Sequence, residues 1–238
     1  MYDLLLKNGC VVDGSRGKPY HANVCVQDGR IARITSVREI PEAEEVLDVS
    51  GLVVAPGFID IHSHSDACPL VDYEPERTLY QGVTTEIVGN CGTSILPNVP
   101  ERLAASQEYF FSELELPVGD LRLNGLYHLE DYRRAVQDHS CASNYGMLVG
   151  HGTLRAAVMG FENRAPSRLE LENMKALLAH ELESGAFGMS LGLIYPPSAY
   201  GTEEELMELS KVLKEHKAVL RVHMRNDVPY IFKAVDDM

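Results

Sequence analysis

The chain has 238 residues, 45% hydrophobic and 24% charged, an ordinary composition for a folded globular protein. Its net charge of −14, with no Lys/Arg cluster to offset it, argues against nucleic acid or an anionic membrane as a partner. No apolar run approaches the roughly 18 residues of a membrane span, Met1-Tyr2-Asp3-Leu4 lacks a signal peptide's basic region, and five cysteines without disulfide spacing fit a reduced, cytoplasmic setting.

Residues 1–53 read as short strands: Tyr2–Leu6, Val11–Val12, Ala22–Gln27 and Ile31–Thr35. Asn8-Gly9, Asp13-Gly14 and Asp28-Gly29 punctuate them as hairpin or tight turns. The pattern then changes. Val53–Ser63 predicts a first strand, Pro75–Gln81 a short helix and Thr84–Val88 a second strand. Glu101–Leu114 and Leu129–His139 carry helical periodicity, and Tyr145–Val149 is strand three. Ser167–Ser184 is a helix with the capping box Ser167-Arg168-Leu169-Glu170 and a terminal Gly185. Ala186–Leu193 is strand four, Thr202–Lys217 a helix with its own capping box, and Ala218–His223 strand five. Pro229–Met238 reads as the start of a fifth helix. Strands alternating with helices imply βα units and a parallel sheet.

The polar residues collect at the strand exits. Strand one ends in Asp60-Ile61-His62-Ser63-His64-Ser65-Asp66. Side chains at i and i+2 of an extended segment share a face, so His62 and His64 present two imidazoles side by side, the first half of a metal site. Strand two exits into Gly89-Asn90-Cys91-Gly92, strand three into Gly150-His151-Gly152, strand four toward Tyr195-Pro196-Pro197, and strand five into His223-Met224-Arg225. In α/β sheets and barrels the C-terminal strand ends form the active face. Cys91 sits beside the neighbouring strand's His-x-His, where a thiolate would bind zinc. Cys10, Cys25, Cys68 and Cys141 lack such a setting and read as structural. His21, His128, His139, His180 and His216 read as surface or packing residues.

These motifs resemble the N-acyl-D-amino-acid deacylase (D-aminoacylase) branch of the amidohydrolase superfamily. The matching runs are Gly57-Phe58-Ile59-Asp60-Ile61-His62-Ser63-His64, Gly82-Val83-Thr84-Thr85 with Val88-Gly89-Asn90-Cys91-Gly92, Leu148-Val149-Gly150-His151 with Leu154-Arg155, and Gly192-Leu193-Ile194-Tyr195-Pro196-Pro197. The resemblance implies an α/β fold. Residues 1–53 would be the N-terminal portion of a small β-sandwich. Residues 54–238 would be the first five βα units of a metal-dependent (β/α)₈ TIM-type barrel, whose full form typically takes about 250 residues. It implies one or two Zn²⁺ ions held by His62, His64, Cys91 and His223. Many relatives bridge two metals with a carboxylated lysine on strand four. Phe187-Gly188-Met189-Ser190-Leu191-Gly192 has no lysine, and Cys91 matches the cysteine that takes the ligand role in this branch.

The activity implied is hydrolysis of the amide bond of N-acyl-D-amino acids. Tyr195 would contact the acyl oxygen, and His151 and Arg225 would face substrate or, like Asp60, orient a ligand. A later histidine and an acid/base aspartate would lie beyond Met238, so the chain would carry only part of the site. Its open barrel edge would then be a surface for self-association. Two other readings remain open. One is an amidohydrolase acting on cyclic amides, as a dihydroorotase does. The other is an inactive or split fragment that needs a partner chain.

Overall fold

The computed structural model describes residues 1–71, 76–112, 125–139, 141–226 and 230–236. The chain folds as two compact units, Met1–Gly57 and Phe58–Met238.

The first unit is one five-stranded mixed sheet built from β1 (Tyr2–Val11), β2 (Tyr20–Gln27), β3 (Arg30–Thr35), β4 (Ala43–Asp48) and β5 (Val53–Val54). Its order is β3-β2-β1-β4, with β5 also paired to β1. The β2–β3 hairpin turns at Asp28-Gly29, where both residues take positive φ (52° and 69°), as a tight two-residue turn demands. Asn8-Gly9, expected as another turn, lies instead inside a continuous β1. The register against β2 shifts between Leu6 and Gly9, and Asn8 takes φ 65°. This is a bulge. The Asn8 amide donates to Oδ1 of fully buried Asn23, 2.8 Å away, and the Asn23 side-chain NH₂ donates to the carbonyls of Ser36 and Glu39. A single buried asparagine thus absorbs the irregularity. The β4 strand was not anticipated. It pairs parallel to the Tyr2–Lys7 stretch of β1, and β5 pairs beyond it at Cys10 and Val11.

The second unit follows the βα pattern, with β6 (Phe58–Asp60), α1 (Glu76–Leu79), β7 (Val83–Val88), α2 (Leu103–Ser112), α3 (Leu129–Asp138), β8 (Asn144–Gly150), α4 (His151–Met159), α5 (Arg168–Glu183), β9 (Gly188–Gly192), α6 (Glu203–His216), β10 (Val219–His223) and α7 (Ile231–Asp236). Its five strands form a curled parallel sheet in the order β10-β9-β8-β7-β6, the arrangement of a partial TIM-type barrel. Expected helix ends at Pro75, 113–114, Pro229 and 237–238 lie outside the described residues.

The predicted first strand Val53–Ser63 is divided. Val53-Val54 joins the first unit, Phe58–Asp60 the second, and Pro56-Gly57 separates them, because proline has no N–H for a ladder. Helix α4 was also missed. Every residue in it except Val158 is buried, so it lacks the amphipathic stripe by which helices are recognised. The capping boxes of α5 and α6 are present as read: Ser167 with Glu170, and Thr202 with Glu205.

Two apolar clusters hold the helices to this sheet. One gathers Val88, Ile95, Leu96, Phe110, Leu129, Tyr132 and Met147; the other gathers Val149, Leu154, Met174, Leu178, Met189, Leu191, Leu209 and Leu213. Both lie under the helical layer, which leaves the strand exits to polar side chains. Among the described residues no helix is long and apolar enough to cross a membrane.

Candidate metal centre

The segment after β6 is held by a carboxylate that sequence reasoning passed over. Glu86, in the middle of β7, is 2% exposed. Its Oε2 accepts from the hydroxyls of Ser63 (2.8 Å) and Ser65 (2.7 Å), and its Oε1 from Thr78 (3.0 Å) and Tyr145 (3.3 Å). Ser63 and Ser65 are anchored to Glu86, which ties down the bend and loop that carry His62 and His64 beyond the end of β6 at Asp60. The only signal for this in the sequence is one acidic residue inside the run Val83-Thr84-Thr85-Glu86-Ile87-Val88. Asp60 contributes through the backbone, its Oδ1 accepting from the His62 amide at 2.9 Å.

The two imidazoles stand 5.6 Å apart, tilted by 60°. Cys91, one residue past the Gly89-Asn90 corner, takes φ 54°. Its Sγ lies 3.3 Å from His62 Nε2 and 3.5 Å from His223 Nδ1. One ligand atom each from His62, His64 and Cys91 lie within 4.8 Å of one another. Three strand exits, those of β6, β7 and β10, therefore bring together four side chains of a kind that can ligate a metal.

The cysteine loop has little freedom. Asn90 Nδ2 donates to the Ile87 and Ser63 carbonyls, tying the loop to the histidine segment. Ser190 of β9 accepts from the Gly92 amide and donates to the Gly89 carbonyl. Gly192 packs so tightly on this loop that a Cβ there would sit 1.9 Å from the Cys91 carbonyl oxygen. Across the concave face, the Arg221 guanidinium of β10 donates to the Ile61 carbonyl beside His62.

The donor chemistry fits a zinc ion. Two ligands around a tetrahedral Zn²⁺, with Zn–N near 2.0–2.1 Å and Zn–S near 2.3 Å, stand about 3.6 Å apart. The two nitrogen–sulfur separations here are 3.3 and 3.5 Å. Burial lowers the pKa of His64, and the neighbouring His62 and His223 lower it further. It is thereby held as the neutral imidazole that ligates.

The remaining candidates divide. Tyr195 lies on the loop after β9, its ring 5.0 Å from that of His223 and nearly perpendicular to it. Arg225 donates to the carbonyls of Ala199 (3.0 Å) and Gly201 (2.8 Å), clasping that same loop. Of the two roles expected of it, His151 is placed for support and not for facing substrate. It is fully buried, with Nδ1 2.7 Å from Ser198 Oγ and Nε2 2.8 Å from Glu205 Oε1. Arg155, also fully buried, pairs with the other Glu205 oxygen at 2.6 Å. Burial pushes the Glu205 pKa up, but His151 and Arg155 outweigh it and leave the group ionised below its ordinary value. Ser198 also accepts from the Gly192 amide, so this network supports the strand exit from beneath. Asp66, another buried carboxyl, is pushed up to about 7 by desolvation, against the opposing amides of Gly89 and Ile95.

Comparison with known proteins agrees with this architecture. The amidohydrolase family pattern matches residues 45–219. The D-aminoacylase of Alcaligenes xylosoxydans xylosoxydans is 38% identical over 239 residues, which covers 99% of this chain and 47% of the relative. A crystal structure of D-aminoacylase superposes with a TM-score of 0.84 at 34% identity, covering 100% of this chain and 48% of that one. The N-acyl-D-glutamate deacylase from Bordetella bronchiseptica, complexed with zinc and a phosphonate mimic of the tetrahedral intermediate, gives 0.86 at 33% identity, covering 99% and 48%. The chain spans about half the length of the curated relatives it matches. From the family match and the fold together, the chain belongs to the amidohydrolase family.

Proposed function

We propose that this chain carries the metal-holding face of a zinc-dependent hydrolase that cleaves the amide bond of N-acyl-D-amino acids, releasing a carboxylate and a free D-amino acid. The observation that carries the reading is the cysteine sulfur flanked by two imidazoles at 3.3 and 3.5 Å on the strand-exit face. The substrate class is supported by the similarity to D-aminoacylase and to the zinc-complexed N-acyl-D-glutamate deacylase.

His62, His64, Cys91 and His223 would hold the metal. When bound, zinc supplies Lewis acidity, polarising an acyl carbonyl and bringing the pKa of water down to about 7. The chain's own residues do the rest of what lies within it. Ser63, Ser65 and Glu86 fix the direction of the two N-terminal imidazoles. Asn90, Ser190 and Gly192 fix the thiolate. Tyr195, held beside His223, donates its phenolic O–H to the acyl oxygen. That hydrogen bond gains strength as the oxygen turns anionic, so it favours the transition state over bound substrate. Arg225 keeps the tyrosine loop in register by holding the carbonyls of Ala199 and Gly201.

The test uses the zinc-loaded protein expressed from its native gene, assayed on N-acetyl-D-amino acids, their L-enantiomers and cyclic ureides. Hydrolysis confined to the D-acyl substrates is expected, with Tyr195→Phe lowering kcat by about 10²-fold while KM changes little. Turnover of cyclic ureides alone, or full activity in Tyr195→Phe, would overturn the reading.

A further inference from the structure

A second group of side chains able to ligate a metal lies apart from the first centre, where the start of α3 meets the last turn of α5. One ring nitrogen each of His128 and His180 and a carboxylate oxygen of Glu181 lie within 4.8 Å of one another. His128 is the N-cap of α3, and His180 and Glu181 lie in the last turn of α5. The hydrolytic reading uses none of the three.

The arrangement is built rather than incidental. Glu181 is 1% exposed and fixed at both oxygens. Its Oε2 accepts from the Leu129 amide at 2.8 Å, and its Oε1 lies 2.6 Å from His128 Nδ1. The His128 and His180 rings meet edge to face, their centroids 4.3 Å apart. The amide end of α3 and the carbonyl end of α5 oppose one another here, so the charge that attracts a cation comes from the carboxylates of Glu181 and Glu130. The Glu130 carboxylate lies 3.9 Å from His180 Nε2. The nearby cations are Arg133, which donates to the Ser184 carbonyl at 2.7 Å, and Arg102 in the adjoining groove. That groove, about 510 Å³, opens beside both histidines.

We propose that His128, His180 and Glu181 form a second site for a divalent transition cation of the zinc class, with an open position toward the groove that water fills. Two imidazoles and one carboxylate are a donor set that zinc accepts, and its ligand atoms stand about 3.4 Å apart around a tetrahedral ion. His180, whose side chain is 46% exposed, can close the remaining gap by a small rotation. On binding, the proton shared by His128 and Glu181 passes to solvent, and metal–nitrogen and metal–oxygen bonds replace that hydrogen bond. The ion then clamps the first turn of α3 to the last turn of α5.

The test begins with the His62→Asn/Cys91→Ser double variant, which removes the first centre. Titration calorimetry with zinc chloride should record one remaining equivalent, with a heat that depends on the buffer's ionisation enthalpy. Adding His180→Asn should weaken it more than tenfold. Cobalt in the same double variant should give a visible d–d spectrum without a thiolate charge-transfer band. In the otherwise native protein, His180→Asn should lower zinc content by one equivalent and leave amide hydrolysis unchanged. A double variant that binds no zinc while folded overturns the site, as does zinc content that His180→Asn leaves unaltered in the native background. The zinc and cobalt readouts do not depend on the substrate, so the site and the deacylase reading stand or fall separately.

Discussion

Replacing Gly192 with alanine tests the metal centre through its support rather than its ligands. The added Cβ would lie 1.9 Å from the Cys91 carbonyl oxygen and 3.1 Å from the Tyr195 ring. Ordinary contact begins at 3.4 Å, so the Cys91 backbone must retreat by about 1.5 Å. Metal–ligand distances tolerate only about 0.2 Å. The sulfur would leave its position between His62 and His223, and zinc affinity should fall by at least about 10–100-fold, the range seen when groups supporting metal ligands are lost. Overpacking itself should cost about 1–3 kcal/mol of stability. Gly188→Ala separates the two effects. It lies at the opposite end of β9, where a Cβ would sit 2.0 Å from the Val219 carbonyl oxygen. It should destabilise by a similar amount and leave zinc binding alone. Competition of each variant with a chromophoric chelator, alongside chemical denaturation, measures both quantities. A Gly192→Ala protein with native zinc affinity would refute the reasoning, as would equal zinc loss in the two variants.

Glu205→Ala should cost about 3–5 kcal/mol in denaturant unfolding, because it strands the buried Arg155 guanidinium without its carboxylate; a change below about 1 kcal/mol would mean the network is dispensable. The Glu170 pKa is brought down to about 2 by hydrogen bonds from Arg164 and the Ser167 amide. Its stabilisation is present above the ordinary value of 4.5 and is lost as pH falls toward 2. Glu170→Gln should flatten that part of the melting-temperature profile by the equivalent of about 0.2–1 kcal/mol, the pair being largely solvated; an unchanged acid limb would contradict it.

The candidate centre was legible where chemistry and strand position coincide. The His62-x-His64 spacing and the strand-exit positions of Cys91 and His223 marked these residues, although β6 ends at Asp60 and the two histidines meet through a bend and loop, not through strand alternation. What supports them was not legible. Glu86 is one acidic residue in a β-branched run, and its four hydroxyl partners come from three separate segments. His151 stands at a strand exit like the ligands do. Nothing local distinguishes it from them, because its burial is decided by Glu205 and Ser198, about fifty positions away in the sequence. Asn8-Gly9 carries the composition of a hairpin turn, and the buried Asn23 turns it into a bulge. His128 and His180 read as surface or packing residues because only the meeting of the first turn of α3 with the last turn of α5 brings them to Glu181.

X-ray absorption at the zinc edge tests the four-residue centre most directly, using protein loaded with its first equivalent of metal. One sulfur scatterer at about 2.3 Å is expected beside nitrogen or oxygen at about 2.0–2.1 Å, and the sulfur should vanish in Cys91→Ser. A shell of nitrogen and oxygen alone in the native protein, or a sulfur that survives Cys91→Ser, would contradict the assignment.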